Sequence, residues 1–297
     1  MLRDSWNYLL PLIGATIRVS TPLLLAAIGG LVSERAGVIN IALEGMMLVG
    51  AFGGVAVALS THSPWLGIGG AALSGALLAA FYGLFVIRLR SNQIVAGTAI
   101  NLLAAGIPPF LCKIFYGVTI STPSLPIGER FQSAPVWLAV AAVLGVWLVM
   151  KRTPVGLWLQ FAGEHPEALD SAGVRVNRVR WAAVMISGAL AGMGGASLSI
   201  FLSSSFSRNM TAGRGFMALA ALIFGKWRPF PTAIACLLFG FAEALQIRLQ
   251  GVILWGTEPI PVQFIQILPY VVTVLVLAGV VGQARAPKAL GLAFDEH

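Results

Sequence analysis

Runs of eighteen or more apolar residues recur along most of this sequence, and each is long enough to cross a bilayer as an α-helix. A chain that carries many such runs has few folding choices. In hydrocarbon every backbone N–H and C=O needs a partner within the protein, so a long apolar run becomes a helix. Only 10% of the 297 residues are charged and 58% are hydrophobic, whereas about a quarter of residues are charged in soluble domains. That balance, with a mean hydropathy of +0.87, excludes an ordinary soluble domain and excludes disorder. The expected fold is all-α: a single polytopic transmembrane helical bundle over residues 1–297, with about 8–10 spans, some broken or re-entrant.

The spans read as Tyr8–Leu31, Gly37–Ser60, Trp65–Ile87, Ile94–Tyr116, Val136–Met150, Val179–Phe201, Gly215–Gly225, Pro231–Leu249 and Val262–Val281. The seventh is too short to cross alone and is expected to be re-entrant or part of a broken helix. Ser33–Asn40, beside a long apolar run, is expected to be irregular. The first twelve residues carry Arg3 and Asp4 and no small-residue cleavage site, so the first span is expected to be retained. Placing Arg35, Arg88, Arg90, Lys151, Arg152, Arg175, Arg178, Arg180, Lys226, Arg228, Arg285 and Lys288 on one side makes that side the cytoplasmic one. The C-terminus is then cytoplasmic and the N-terminus external, unless an early segment is re-entrant. The protein is expected in the plasma (inner) membrane as a multi-pass chain, surrounded by lipid.

The net charge of +8 belongs to those loops rather than to nucleic-acid binding. Cys112 and Cys236 both fall in apolar runs and form no disulfide or metal framework. Gly225-Lys226 ends like a phosphate-binding loop, but Ala220 and Trp227 stand where a glycine and a hydroxyl are needed, so ATP is not bound through it. Gly67-x-Gly69-x-x-Ala72 opens an apolar span without βαβ context and reads as helix packing. A serine nucleophile at Ser197 would need a base, and His62, His165 and His297 all lie outside the spans. No catalytic residue, no metal site and no cofactor on this chain are expected.

Ionisable residues at membrane depth are few: Arg18, Glu44, Glu243 and Arg248. Such groups are costly and face protein or a water-filled cavity. Glu44 follows Asn40 by four residues, which would put both on one helix face. Asn40, Glu44, Thr98 and Asn101, with Glu243 and Gln246 behind them, are the candidate lining of a solute path. Gln93 adds a further neutral polar group. The alternative is structural: Glu44 or Glu243 pairs with Arg18 or caps a broken helix. Gly50-x-x-x-Gly54 and Gly188-x-x-x-Gly192 allow close helix packing within the chain, or a dimer interface or gate.

The most polar stretch is 151–178, read as a cytoplasmic loop. Within it Pro166 suits the first turn of a helix and Gly173 the residue beyond its end, while Glu164, Glu167 and Asp170 favour the positive N-terminal half. A two-turn helix held between spans is either an ordinary capped loop or a docking knob for a cytoplasmic partner.

Glu167-Ala168-Leu169-x-x-x-Gly173 resembles the coupling loop of ABC importer permeases, without the Leu-Pro pair that follows it in some of those families. Residues 34–47, ERAGVINIALEGMM, look like the hallmark of the simple-sugar and nucleoside branch of those importers, and so do residues 97–103, GTAINLL, and 213–227, GRGFMALAALIFGKW. The blocks occur in the family's order and cover the chain from about residue 10 to 283, with a more distant likeness to branched-chain amino acid and ribose permeases. The resemblance implies a permease subunit working with cytoplasmic ABC ATPases, a second permease subunit that is a different homologous chain, and an external solute-binding lipoprotein of the basic-membrane-protein type. It implies nucleoside import, with simple sugars as the alternative, and ATPase coupling through Gly163, Glu164, His165, Pro166, Glu167, Ala168, Leu169, Asp170 and Gly173. The competing class is an ion-coupled secondary transporter built on Glu44 and Glu243.

Overall fold

The computed structural model describes residues 2–250, 267, 271 and 285–294, with side chains from residue 10 onward. Within these residues the secondary structure is helical and no strand forms. Seven helical segments are long and apolar enough to cross a membrane. The helices are α1 (Leu2–Arg35), α2 (Leu43–Thr61), α3 (Pro64–Gly83), α4 (Gln93–Tyr116), α5 (Ala134–Arg152), α6 (Pro154–Glu164), α7 (Pro166–Ser171), α8 (Val176–Ala196), α9 (Arg214–Phe224) and α10 (Pro229–Leu249). α3 and α8 each run on into a π-helical turn, Leu84–Arg88 and Ser197–Leu202. The expected last span, Val262–Val281, lies outside the described residues.

The centre of the bundle is made of backbones that nearly touch. A Cβ at Gly50 would lie 2.3 Å from the Cα of Gly192, and one at Gly75 would lie 2.2 Å from the carbonyl oxygen of Gly188. Small residues therefore press α2, α3 and α8 together, as close packing without a hydrophobic drive between helices requires. α1 wraps α8 and α10, and α9 lies between α1 and α10. α4 and α5 are the least buried spans.

The two ends of the bundle differ. One gathers the end of α1, the starts of α4 and α8, helices α6 and α7, the chain after α9 and the tail 285–294. The other is closed by chain segments that pair with each other: Thr122 N donates to Phe206 O (3.1 Å), Leu125 N to Ser204 O (2.7 Å) and Arg208 N to Ile120 O (2.8 Å). His62 meets Glu129 there at 2.9 Å.

Two expectations change in detail. The stretch 151–178 is not a loop: α5 runs to Arg152, α6 and α7 follow almost without interruption, and α8 starts at Val176. Pro154 and Pro166 each open a helix, where a missing N–H costs nothing. The second expected span begins as helix only at Leu43, so Asn40 and Glu44 share no helix face.

Candidate functional site

Several of the candidate residues gather around the break between α1 and α2. Gly37 adopts φ +91°, a left-handed conformation open to glycine, and reverses the chain beside Ala36. Ser33 Oγ and Val38 close the turn, the hydroxyl donating to Val38 O at 2.8 Å. Between Val38 and Leu43 the chain lies outside both helices, and its backbone, with the first N–H groups of α2, needs partners from elsewhere. Three side chains from two other helices, α3 and α4, supply them. Gln93 Oε1 accepts from Ile39 N at 2.8 Å, and Tyr82 donates to Ile39 O. Asn101 Nδ2 donates to Ile41 O at 2.9 Å, while its Oδ1 accepts from Gly45 N at 2.8 Å. Irregular backbone is tolerated at membrane depth only when protein satisfies it in this way.

Glu44 closes a second contact. Its carboxylate accepts from Gly213 N (2.8 Å) and Gly215 N (2.6 Å) at the start of α9. It thus caps the positive end of a helix of only 11 residues, which at 1.5 Å per residue covers about 16 Å, half of a bilayer. Gly215 must be glycine here, since its Cβ would sit 2.5 Å from the Glu44 backbone. Beyond the other end of α9, Trp227 Nε1 donates to Glu34 Oε2 (2.6 Å) and Arg35 Nε donates to Trp227 O (2.8 Å). Both ends of α9 are therefore held by the flanks of the break. The three sequence blocks meet in one node.

The remaining candidates are placed as follows. Asn40 is fully buried and donates to Ser187 Oγ at 2.8 Å, and its Oδ1 has no partner among the described residues. Thr98 is exposed on α4 and, among the described residues, bonds only carbonyls of its own helix. Glu243 pairs with Arg214 across α10 and α9, and its Oε2 is buried with no partner among the described residues. Gln246 lies one turn further along α10, half-buried. Neither carboxylate meets Arg18, whose guanidinium reaches Gly14 O at 3.3 Å: Glu44 caps a helix and Glu243 takes a different arginine. The sequence-level choice between capping and pairing thus resolves into one of each. Among the described residues no group of His, Cys, Asp and Glu could hold a metal ion.

The helix expected at Pro166 is present. α7 ends at Ser171, and Gly173, at φ +81°, donates to Asp170 O at 2.8 Å, while Val174 N donates to Leu169 O at 3.2 Å. His165, Glu167 and Ala168 are exposed. Leu169 is turned inward on Ala162 and Val176. Gly163 is buried because α6 presses on the end of α1: its Cβ would lie 2.3 Å from Arg35 O. Glu164 lies 3.9 Å from Arg35.

Residue-level reading of the sequence missed two parts of this site. Arg180, counted there only as a loop charge, is buried and donates to three carbonyls from three segments: Ala36 (3.2 Å), Ala162 (3.3 Å) and Leu292 (2.8 Å). The tail is the other. Ala289 N donates to Gly163 O (2.8 Å), Gly291 N to Gly37 O (3.0 Å) and Lys288 N to Glu164 Oε2 (3.4 Å). The end of α6, the break after α1 and the tail are bonded to one another, and α7 packs on them through Leu169. The signal that could have located it is an arginine four residues into an apolar helix, where a buried charge demands acceptors.

The chain is similar to known proteins. The family described as branched-chain amino acid transport system / permease component matches residues 12–277. The nucleoside ABC transporter permease protein NupC of Lactococcus lactis subsp. cremoris is 40% identical over 92% of this chain and 93% of its own. The guanosine ABC transporter permease protein NupQ of Bacillus subtilis is 37% identical over 95% of this chain and 96% of its own. A second L. lactis protein, the nucleoside ABC transporter permease protein NupB, is 22% identical over 96% of this chain and 84% of its own.

Proposed function

We propose that this chain, which belongs to the branched-chain amino acid transport system / permease component family, is the membrane-spanning permease subunit of an ATP-driven importer of nucleosides. The observation that carries the reading is the rigid link from α7 to the break between α1 and α2. A push on the exposed face of α7 travels through Leu169, Gly163 and Arg180 to the Gly37 turn, and from there to α9 through Glu34, Arg35 and Glu44. Such a link lets a motor on the surface move a broken span without touching it, the rigid-body logic of alternating access.

ATP is then bound by cytoplasmic ABC ATPases docked on α7, and this chain needs no cofactor of its own. The end that carries α6, α7 and the tail is cytoplasmic, in keeping with its basic residues. The end closed by residues 117–133 and 203–208 receives the solute-binding lipoprotein. The second permease is a different homologous chain: L. lactis possesses two permeases similar to this one. Asn40, Glu44, Thr98, Asn101, Glu243 and Gln246 serve the path in two ways. Glu44 and Asn101 fix the shape of the broken span. Thr98, Gln246 and the unpaired oxygens of Asn40 and Glu243 are left to meet a polar solute or its water.

An ion-coupled transporter is disfavoured because both carboxylates it would load are engaged by the chain's own groups. The test is uptake in vesicles holding this chain with its partner subunits. ATP-dependent uptake that unlabelled nucleosides compete and glucose does not is the expected result, and Glu167→Lys with Gly173→Val should lower ATPase association and uptake together. Robust uptake by this chain alone under a proton or sodium gradient overturns the proposal.

A further inference from the structure

Among the described residues the bundle is open between α5 and α8. α5 packs on α1, α6 and α10, and Val146 and Val149 on its inner side stand off from Ile186 and Leu190 of α8. Two adjoining cavities of about 550 and 380 Å³ occupy the gap, sharing Val155, Leu159 and Ile186 as walls. The smaller one has no polar lining. The larger one ends at Arg175 and Arg178, both exposed, and no carboxylate pairs with either among the described residues. The nearby Lys151 is turned to the Trp147 ring, 5.3 Å from its centroid.

A cleft between two membrane-spanning helices opens to hydrocarbon. Water does not fill an apolar cleft, and an empty one forfeits the contacts of every atom that lines it. An acyl chain fills it at no such cost. The paired guanidinium groups at its mouth then set the head group, because they attract an anion and reject a cation. We infer that this cleft is a binding site for an anionic phospholipid, with one acyl chain between α5 and α8 and the head-group phosphate at Arg175 and Arg178. The site lies against α6 and the end of α7, so an occupied cleft would brace the face that the proposed ATPase contact loads.

The test uses the full chain in nanodiscs of phosphatidylcholine with or without phosphatidylglycerol, read by lipid retention in native mass spectrometry. The wild-type chain should retain phosphatidylglycerol over phosphatidylcholine. Arg175→Gln with Arg178→Gln should lower that preference roughly 30-fold, each arginine near the membrane surface contributing about 1 kcal/mol. Gly145→Phe should expel the lipid whatever its head group, since no atom lies within 4 Å of the Cβ position at Gly145 and the ring has room to occupy the cleft. Equal retention of the two lipids by the wild-type chain overturns the inference, and so does an unchanged preference in the double glutamine variant. Cross-linking of a cysteine at Ile186 to the second permease in the assembled complex also overturns it, because the cleft is then a subunit interface.

Discussion

Asn101 shows how a polar residue at membrane depth can be misread. From the sequence it is a hydrogen-bonding group available to a solute. In the structure one amide satisfies a carbonyl and an N–H of the same irregular segment, Ile41 O and Gly45 N. Leucine in its place leaves both buried and unpaired, which should cost about 2–4 kcal/mol. Asn101→Leu should therefore lower the thermal unfolding temperature of the detergent-solubilised chain, and Asn101→Asp, which keeps the acceptor for Gly45, should lie between the two. A merely path-lining Asn101 would leave unfolding unmoved and change only uptake. Arg180 poses the same problem with a charge: among the described residues three carbonyls and no carboxylate hold it. Removing the head group orphans acceptors on three segments at once, so Arg180→Met should destabilise by about 3 kcal/mol. Arg180→Lys should recover only part of that, since an ammonium is a compact point donor that cannot spread across three directions.

At the scale of elements, α9 is the informative case. Eleven residues flanked by glycines announced a half-span in the sequence, and the structure agrees. What the sequence did not display was its two clamps, because Glu44 and Trp227 lie 170 or more positions away from some of their partners, and nothing local marks such a pair. The legible features were those set by short-range chemistry: Pro166 and Gly173 bounding α7, the break after Arg35, the small-residue faces of α2 and α8. The tail was illegible for the opposite reason. Its bonds to Gly163 and Gly37 are made by backbone amides, which any residue but proline provides. Glu44→Ala should uncap α9 at a cost of about 1–2 kcal/mol, and amide exchange at Gly213 and Gly215 should quicken while that of α2 and α8 holds. A stop after Arg285 should leave the bundle folded, because its core lies in α1, α2, α3, α4, α8, α9 and α10, yet lower ATP-driven uptake by loosening α6 from the Gly37 turn. Unchanged uptake in that truncated chain would show that the tail transmits nothing.

For the whole molecule the decisive property is polarity, in the sense of which end faces the ATPases. The described chain separates its ends cleanly. Ala168 on α7 and Val118 beyond α4 are both exposed and sit at opposite ends, and the native thiols Cys112 and Cys236 are buried, so they should contribute little background to labelling. A membrane-impermeant maleimide should modify Val118→Cys in intact cells and Ala168→Cys only in inverted vesicles. Orientation alone does not establish a motor on α7, so the assay needs a second arm: in inverted vesicles that retain the partner ATPases, Ala168→Cys should be protected, and stripping the peripheral proteins should restore its reactivity. Protection without orientation would point to a buried loop, and orientation without protection to an inner surface that nothing grips. Only the two together place the ATPases on α7, the element that Leu169 and Gly163 join to Arg180 and the Gly37 turn.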